Sequence, residues 1–530
     1  MSHYQKLVQH AQKIANFNHL AAISGWDQAA VMPNGGNEAR SKAMAELSVL
    51  IHQLNTEPQL SDWFHEAEQE SLSPIEKSSL REMKQRWQQA TILPKDLVEA
   101  KSLAGSKCEH AWRTQRKQND WNGYAQNWQE VVNLSQQEAQ IRADSLGTTP
   151  YDAMLALYEP GTSSQSLDVV FENVKTWLPN LVDRVIEKQD KESVIYPKGT
   201  FASSQQKALG LKAMQFLQFD FNHGRLDESV HPFCGGVPTD VRITTRYDEN
   251  DLMQSLMGTI HETGHARYEQ GLPTSLAGLP VGEARSMGIH ESQSLFFEMQ
   301  LGRSPEFINH LSAMARAEFQ AEDQPAFSAD NFRKLYTRVE KGFIRVDADE
   351  LTYPAHVILR YEIERDLMNG NISYKDVPEL WDQKMQSYLG LSTKDNYQNG
   401  CMQDIHWTDG NRTLITKRQL TEKKGKRANN YNYRDGCMQD IHWCDGSFGY
   451  FPSYTLGAMY AAQFMAAMRK TIDVDDAIRS GNLSPIFAWL SKNIWSKGSL
   501  LTTDELVKAA TGEVLNPEHF KNHLKSRYLG

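Results

Sequence analysis

The chain has 530 residues, 40% of them apolar and 23% charged, and its Asp and Glu (66) outnumber Lys and Arg (56) to leave a net charge of −10. That length exceeds what one small core can serve, so one large two-lobed body or two or three packed domains are expected. The acidic balance argues against non-specific binding of nucleic acid. The most apolar stretch, Leu456 to Met468, is broken by Gln463 and is too short to cross a bilayer, so no membrane segment is expected. The N-terminus has no unbroken apolar run of the kind a secretory leader needs. Five cysteines, an odd and sparse set, do not read as a disulfide framework, and a reducing, cytoplasmic setting is expected.

Most of the chain has helical periodicity. Apolar residues recur at helical spacing from Tyr4 to about Gln28 and again from Asn37 to Glu70. Ser73-Pro74 opens a further helix, and Pro94 opens another whose pattern persists towards Ser145. The main exception is Phe233 to Tyr247. There Gly235-Gly236-Val237-Pro238 is turn chemistry, and Asp240-Val241-Arg242-Ile243-Thr244 alternates with the period of a strand. Helical patterning resumes at Asp349, apart from 394–452. The fold class expected is mainly α, with a small β-sheet beside the helix that follows it.

That next helix carries His261-Glu262-Thr263-Gly264-His265. Residues four apart share a helix face, so both imidazoles can address one metal ion. Glu262 lies one position round, where a carboxylate can take a proton from a water and return it to a leaving amine. Leu252, Leu256 and Ile260 form the helix's apolar stripe, and Gly271-Leu272-Pro273 ends it. Two histidines and a carboxylate suit Zn2+, with Co2+ or Mn2+ able to substitute. The third ligand is not fixed by the motif. Tyr268 and Gly271 stand where a metzincin would have Gly and His, so that class is excluded. The candidates are Glu283, Glu291 and Glu298. Glu291, early in the following helix, is favoured over Glu283 in a loop and Glu298 further along.

These motifs carry a resemblance to the thermostable carboxypeptidase family of HExxH metal-dependent enzymes. Asp240 to Thr244 matches the family's DxRxT, and His261 to His265 its HExxH. His290-Glu291-Ser292-Gln293 matches its HES/GxQ, Ile344 to Asp349 its I/VRxxAD, and Gly-Cys-Met-Gln-Asp-Ile-His-Trp its GxxQDxHW. Five motifs in the family's order extend the resemblance over nearly the whole chain. It implies a largely helical fold with a deep active-site cleft, a homodimer, and release of single residues from peptide C-termini. It also implies His261, His265 and Glu291 as metal ligands and Glu262 as the catalytic base.

A carboxypeptidase must recognise a terminal carboxylate, which a fixed guanidinium does bidentately. Arg345 is the candidate, the alternative being that it pairs with Asp347 or Asp349 of its own motif. Arg242, on one strand face with Asp240 and Thr244, is a candidate to orient substrate main chain or else forms an ion pair within the sheet. His442 and Tyr454 are candidates to stabilise the oxyanion. An oligoendopeptidase of the same chemistry, or a catalytically silent helical binding protein, are the competing readings.

The GCMQDIHW segment occurs twice, at 400–407 and 436–443, and 12 of 16 positions match between 395–410 and 431–446. A basic stretch, 410–435, lies between the copies and reads as an inserted solvated loop within a single catalytic domain spanning 1–530. Only the second copy runs on into Gly446-Ser-Phe-Gly-Tyr450-Phe-Pro-Ser-Tyr454. Gln439, Asp440 and His442 are therefore the expected working set, with Gln439 a substrate-binding candidate; the alternative is the first copy, which keeps its upstream connection from Tyr388-Leu-Gly390. Deleting the 36 residues 410–445 joins the first copy to that run. Peptidase assays are expected to find activity intact or raised. A folded deletion variant devoid of activity would contradict the insert's dispensability.

Overall fold

The computed structural model describes residues 1–229, 232–394 and 434–530. The first GCMQDIHW copy and nearly all of the basic stretch lie outside the described residues. The second copy lies within them. No described helix is long and apolar enough to cross a membrane.

Helices dominate, and their ends follow local chemistry. The first spans His3–Ala30, with Ser2 and Gln5 forming a capping box. The periodic stretch from Asn37 divides at Pro58 into Asn37–Asn55 and Gln59–Ala67. Ser73 caps Pro74–Thr91, with Glu76 completing the box and proline in the first turn. The run expected from Pro94 to Ser145 is two helices, Lys95–Lys117 and Trp121–Leu146. Asn119 takes a left-handed φ of 54° between them. Asp120 then restarts the chain by accepting a 2.9 Å bond from the Gly123 amide.

Among the described residues the sheet has three strands in the order β1-β3-β2: β1 is Gly224–Glu228, β2 Phe233–Val237 and β3 Asp240–Thr245. The strand β3 runs antiparallel to β2, with Phe233 opposite Thr244, and parallel to β1, with Gly224 opposite Val241. Alternation predicts β3, whose Val241 and Ile243 are buried while Asp240 and Arg242 are half-buried. It does not predict β1. Gly-Arg-Leu-Asp-Glu has one apolar residue, Leu226, which joins Val241, Ile243, Met214 and Ala266 in a core between sheet and helices.

The chain divides into two compact units. The first comprises Met1–Ile92, Val194–Tyr336 and Leu456–His523; the second comprises Leu93–Ser193, Thr337–Thr455 and Leu524–Gly530. The sheet and the HExxH helix belong to the first.

In the second unit the GCMQDIHW segment is embedded in aromatic packing. The indole of Trp443 stacks on Trp128 at 5.6 Å, and the Trp128 Nε1–H donates to the Trp443 carbonyl at 2.8 Å. Trp112 donates likewise to the Met438 carbonyl at 2.6 Å. Buried Glu364 receives Trp443 Nε1–H at 2.7 Å, Gly449 N–H at 3.1 Å and Tyr151 O–H at 3.3 Å. Burial outweighs those donors and pushes its carboxyl up to about 8. Unfolding returns it towards its ordinary value of 4.5. Between these values the unfolded chain binds fewer protons than the folded one, so this group makes stability fall as pH rises. Thermal melts of wild type and Glu364→Gln across that window are expected to show wild type losing ground with pH. Parallel curves would contradict a neutral Glu364.

Candidate metal centre and its partner cluster

The helix Leu252–Gly271 starts at Asp251, whose carboxylate accepts the Met253 and Gln254 amides at 2.8 and 3.3 Å. Leu252, Leu256 and Ile260 are buried, which turns His261 and His265 to a common face. Gly264 lets the next helix, Met287–Leu295, come close: a Cβ there would lie 2.5 Å from the Gln293 carbonyl. Gly457 does the same on the far side, where a Cβ would lie 2.7 Å from Glu291 Cγ.

His261, His265 and Glu291 each offer one donor atom, all within 4.8 Å of one another. Glu291 Oε2 stands 3.4 Å from His265 Nε2. Of the other acids weighed from sequence, Glu283 pairs with Arg86 and is about half exposed. Glu298 stands behind the first histidine: its Oε2 accepts from His261 Nδ1 at 2.9 Å, and its Oε1 accepts from Arg303 Nη2 at 2.5 Å. The second histidine has a different support. Its Nδ1 lies 2.7 Å from His290 Nδ1, and His290 Nε2 lies 2.8 Å from Glu269 Oε1. A carboxylate accepts only, so His290 Nε2–H donates to Glu269, and the two facing Nδ1 atoms share one hydrogen. Both ligand-type histidines thus have Nδ1 engaged and Nε2 available, the arrangement metal-binding imidazoles need.

The electrostatics fit a cation. Burial disfavours a charged His261, but Glu298, Glu291 and Glu262 overturn this and push it up to about 10. Buried carboxylates are thus holding a proton where a metal ion would bring its own charge. Burial and His290 pull His265 down to about 4, leaving it a neutral donor. Burial also resists ionisation of Glu291, yet the two histidines lower its pKa. Glu262, 8% exposed, is pushed up to about 7 by burial.

The other expected site residues fall into two places. Arg242 grips Asp240 through two bonds of 2.5 and 3.0 Å and lies 4.5 Å from the Trp26 ring. It lines a cavity with Trp26, Phe233, Gly235 and Gly236. Arg345, Gln439, His442 and Tyr454 gather in the second unit around Asp440. Arg345 Nε donates to Asp440 Oδ1 at 2.9 Å, Nη1 to Tyr353 Oη at 2.9 Å, and its backbone N–H to Gln439 Oε1 at 2.9 Å. Asp440 is its partner, and Asp349 instead accepts the Leu351 and Thr352 amides at 2.9 and 3.0 Å. The Gln439 amide donates to the Phe343 and Asp435 carbonyls at 3.1 and 2.8 Å, so it braces main chain. Tyr454 Oη and His442 Nε2 are 3.3 Å apart. Burial and Arg345 pull His442 down to about 4, so it is neutral.

Sequence reasoning gave no role to Glu269, His290, Arg303 or Arg360. Glu298 was weighed from sequence only as a ligand, and its place in the π-helical segment Phe296–Gly302 that follows the Met287–Leu295 helix has no α-helical spacing to reveal it. The His265–His290 contact joins two helices and leaves no local pattern.

The carboxypeptidase Taq (M32) metallopeptidase family profile matches residues 6–412 and 428–528. Thermostable carboxypeptidase 1 of Thermus thermophilus is 33% identical, covering 99% of this chain and 98% of that protein. Carboxypeptidase 1 of Bacillus subtilis is also 33% identical, over 98% of this chain and 96% of that protein. The solved structure of Trypanosoma cruzi metallocarboxypeptidase 1 is 43% identical with a TM-score of 0.91, covering 100% of this chain and 99% of that one. A match of this extent to profile, relatives and fold makes the chain a member of the carboxypeptidase Taq (M32) metallopeptidase family, a metal-dependent carboxypeptidase.

Proposed function

We propose that the carboxypeptidase reaction of this chain uses His261, His265 and Glu291 as ligands of one divalent cation, zinc by the chemistry of the donor set, with Co2+ or Mn2+ able to replace it. The observation that supports this is the convergence of their donor atoms within 4.8 Å in a pocket rich in carboxylates. Such a cation supplies Lewis acidity, polarising a peptide carbonyl and acidifying a water. Glu262 takes the proton of the attacking water on a carboxylate oxygen and hands it to the departing amine.

Arg345 receives the substrate's terminal carboxylate, and Gln439 serves it by fixing its main chain. Neutral His442 and Tyr454 supply donors to the oxyanion, and Arg242 orients substrate main chain along β3. The family resemblance supports a homodimer, which sedimentation of the purified chain would check, and the sparse cysteines support a cytoplasmic setting.

Mass spectrometry of products from mixed peptides is expected to show C-terminal ladders that chelation abolishes and C-terminal amidation prevents. Internal fragments from amidated peptides would instead indicate an endopeptidase. Glu262→Gln is expected to lower kcat by about 100- to 10,000-fold with metal content unchanged. Glu298→Gln, which loses the charged acceptor behind His261, is expected to weaken metal affinity by about 10- to 100-fold in chelator competition. Unchanged affinity there would remove Glu298 from the metal's support.

A further inference from the structure

Asp440 is gripped from two sides. Its Oδ1 accepts from Arg345 Nε at 2.9 Å and its Oδ2 from Arg360 Nε at 2.6 Å. Arg360 is 0% exposed and touches no solvent. Its Nη1 donates to the His356 carbonyl at 2.6 Å, and its Nη2 is buried without a hydrogen-bond partner. Its guanidinium lies 4.5 Å from the Trp381 ring and 5.5 Å from the Phe451 ring.

The charges do not cancel. Burial pulls Arg360 down only to about 10, so it is cationic at neutral pH. Burial also pulls His356 and His442 down to about 3 and 4, and both are neutral. Burial pushes Glu364 up to about 8, leaving it a neutral acid. Asp435 faces its own cation, Arg434, at 3.7 Å. Two guanidiniums therefore share one carboxylate in a buried cluster.

A simple Arg–Asp pair would make a poor receptor for a second carboxylate. The pair is neutral, and in a low-dielectric interior the resident aspartate repels the newcomer. A second guanidinium on the far oxygen removes that repulsion and still fixes the orientation of the first. We propose that Arg360 is a positioning residue that keeps the Arg345–Asp440–Arg360 cluster cationic, so that Arg345 can accept a substrate carboxylate Arg360 never touches. This rests on the reading of Arg345 as the carboxylate receptor. The unpartnered Nη2 supports it, because a purely structural ion pair gains nothing by burying an unsatisfied donor.

Steady-state kinetics of the metal-loaded enzyme on free-acid peptides test the charge argument directly. Arg360→Gln is expected to raise KM by about tenfold or more with kcat changed by less than about threefold. Arg360→Lys restores part of the loss. Arg360→Gln combined with Asp440→Asn restores the single positive charge and returns KM towards wild type, and Asp440→Asn alone does not raise KM. A merely structural role predicts that the double variant is the worst of the set. An Arg360→Gln enzyme with wild-type KM, or a double variant no better than the single one, would overturn the proposal. If Arg360→Gln does not fold, the double variant and Asp440→Asn decide by the same criterion. Arg345→Gln separates the two readings: unchanged KM there refutes the receptor itself, whereas raised KM there with wild-type KM in Arg360→Gln refutes only the role of Arg360.

Discussion

The metal side depends on one close approach. Gly264 and Gly457 have no side chain, and through them the Met287–Leu295 helix packs close to HExxH at Gln293 and close to the Gly457 backbone at Glu291. Without those contacts Glu291 has no reason to meet His261 and His265. An alanine at Gly264 would gain about 1 kcal/mol of helix propensity. It would also drive its Cβ to 2.5 Å from the Gln293 carbonyl, and backbone cannot swing aside as a side chain can. The glycine inside HExxH is therefore a packing element as much as a spacer.

The two units carry opposite charge logic. Around the histidines, Glu262, Glu291 and Glu298 concentrate negative charge that holds a proton on His261 far beyond its usual range. Around Asp440, two buried guanidiniums face one carboxylate. In the proposed reaction the first arrangement serves the metal and the second the terminal carboxylate.

Much of this was legible in the sequence because motifs are local. HExxH works through helical spacing, and β3 shows its period in five residues. Breaks governed by a single residue were not legible: the left-handed Asn119 and the cap at Asp120 split a run whose periodicity continues across them. Long-range pairing was also hidden. Arg345 has Asp347 and Asp349 beside it in sequence, yet its partner is Asp440, because Asp349 is engaged in holding the turn into the Tyr353–Met368 helix. The supports behind the histidines come from other helical turns and carry no motif of their own. The second GCMQDIHW copy is packed through Met438, Asp440 and Trp443 into the second unit's interior, and the first lies outside the described residues.

The proposed reaction turns on Glu291 completing a metal site with His261 and His265. Titrating metal-free wild type and Glu291→Ala with Co2+, followed by visible absorption, tests that most directly. The account predicts tight saturation at one equivalent in wild type and loss of that tight binding in the variant. Equal saturation of the two proteins would contradict it.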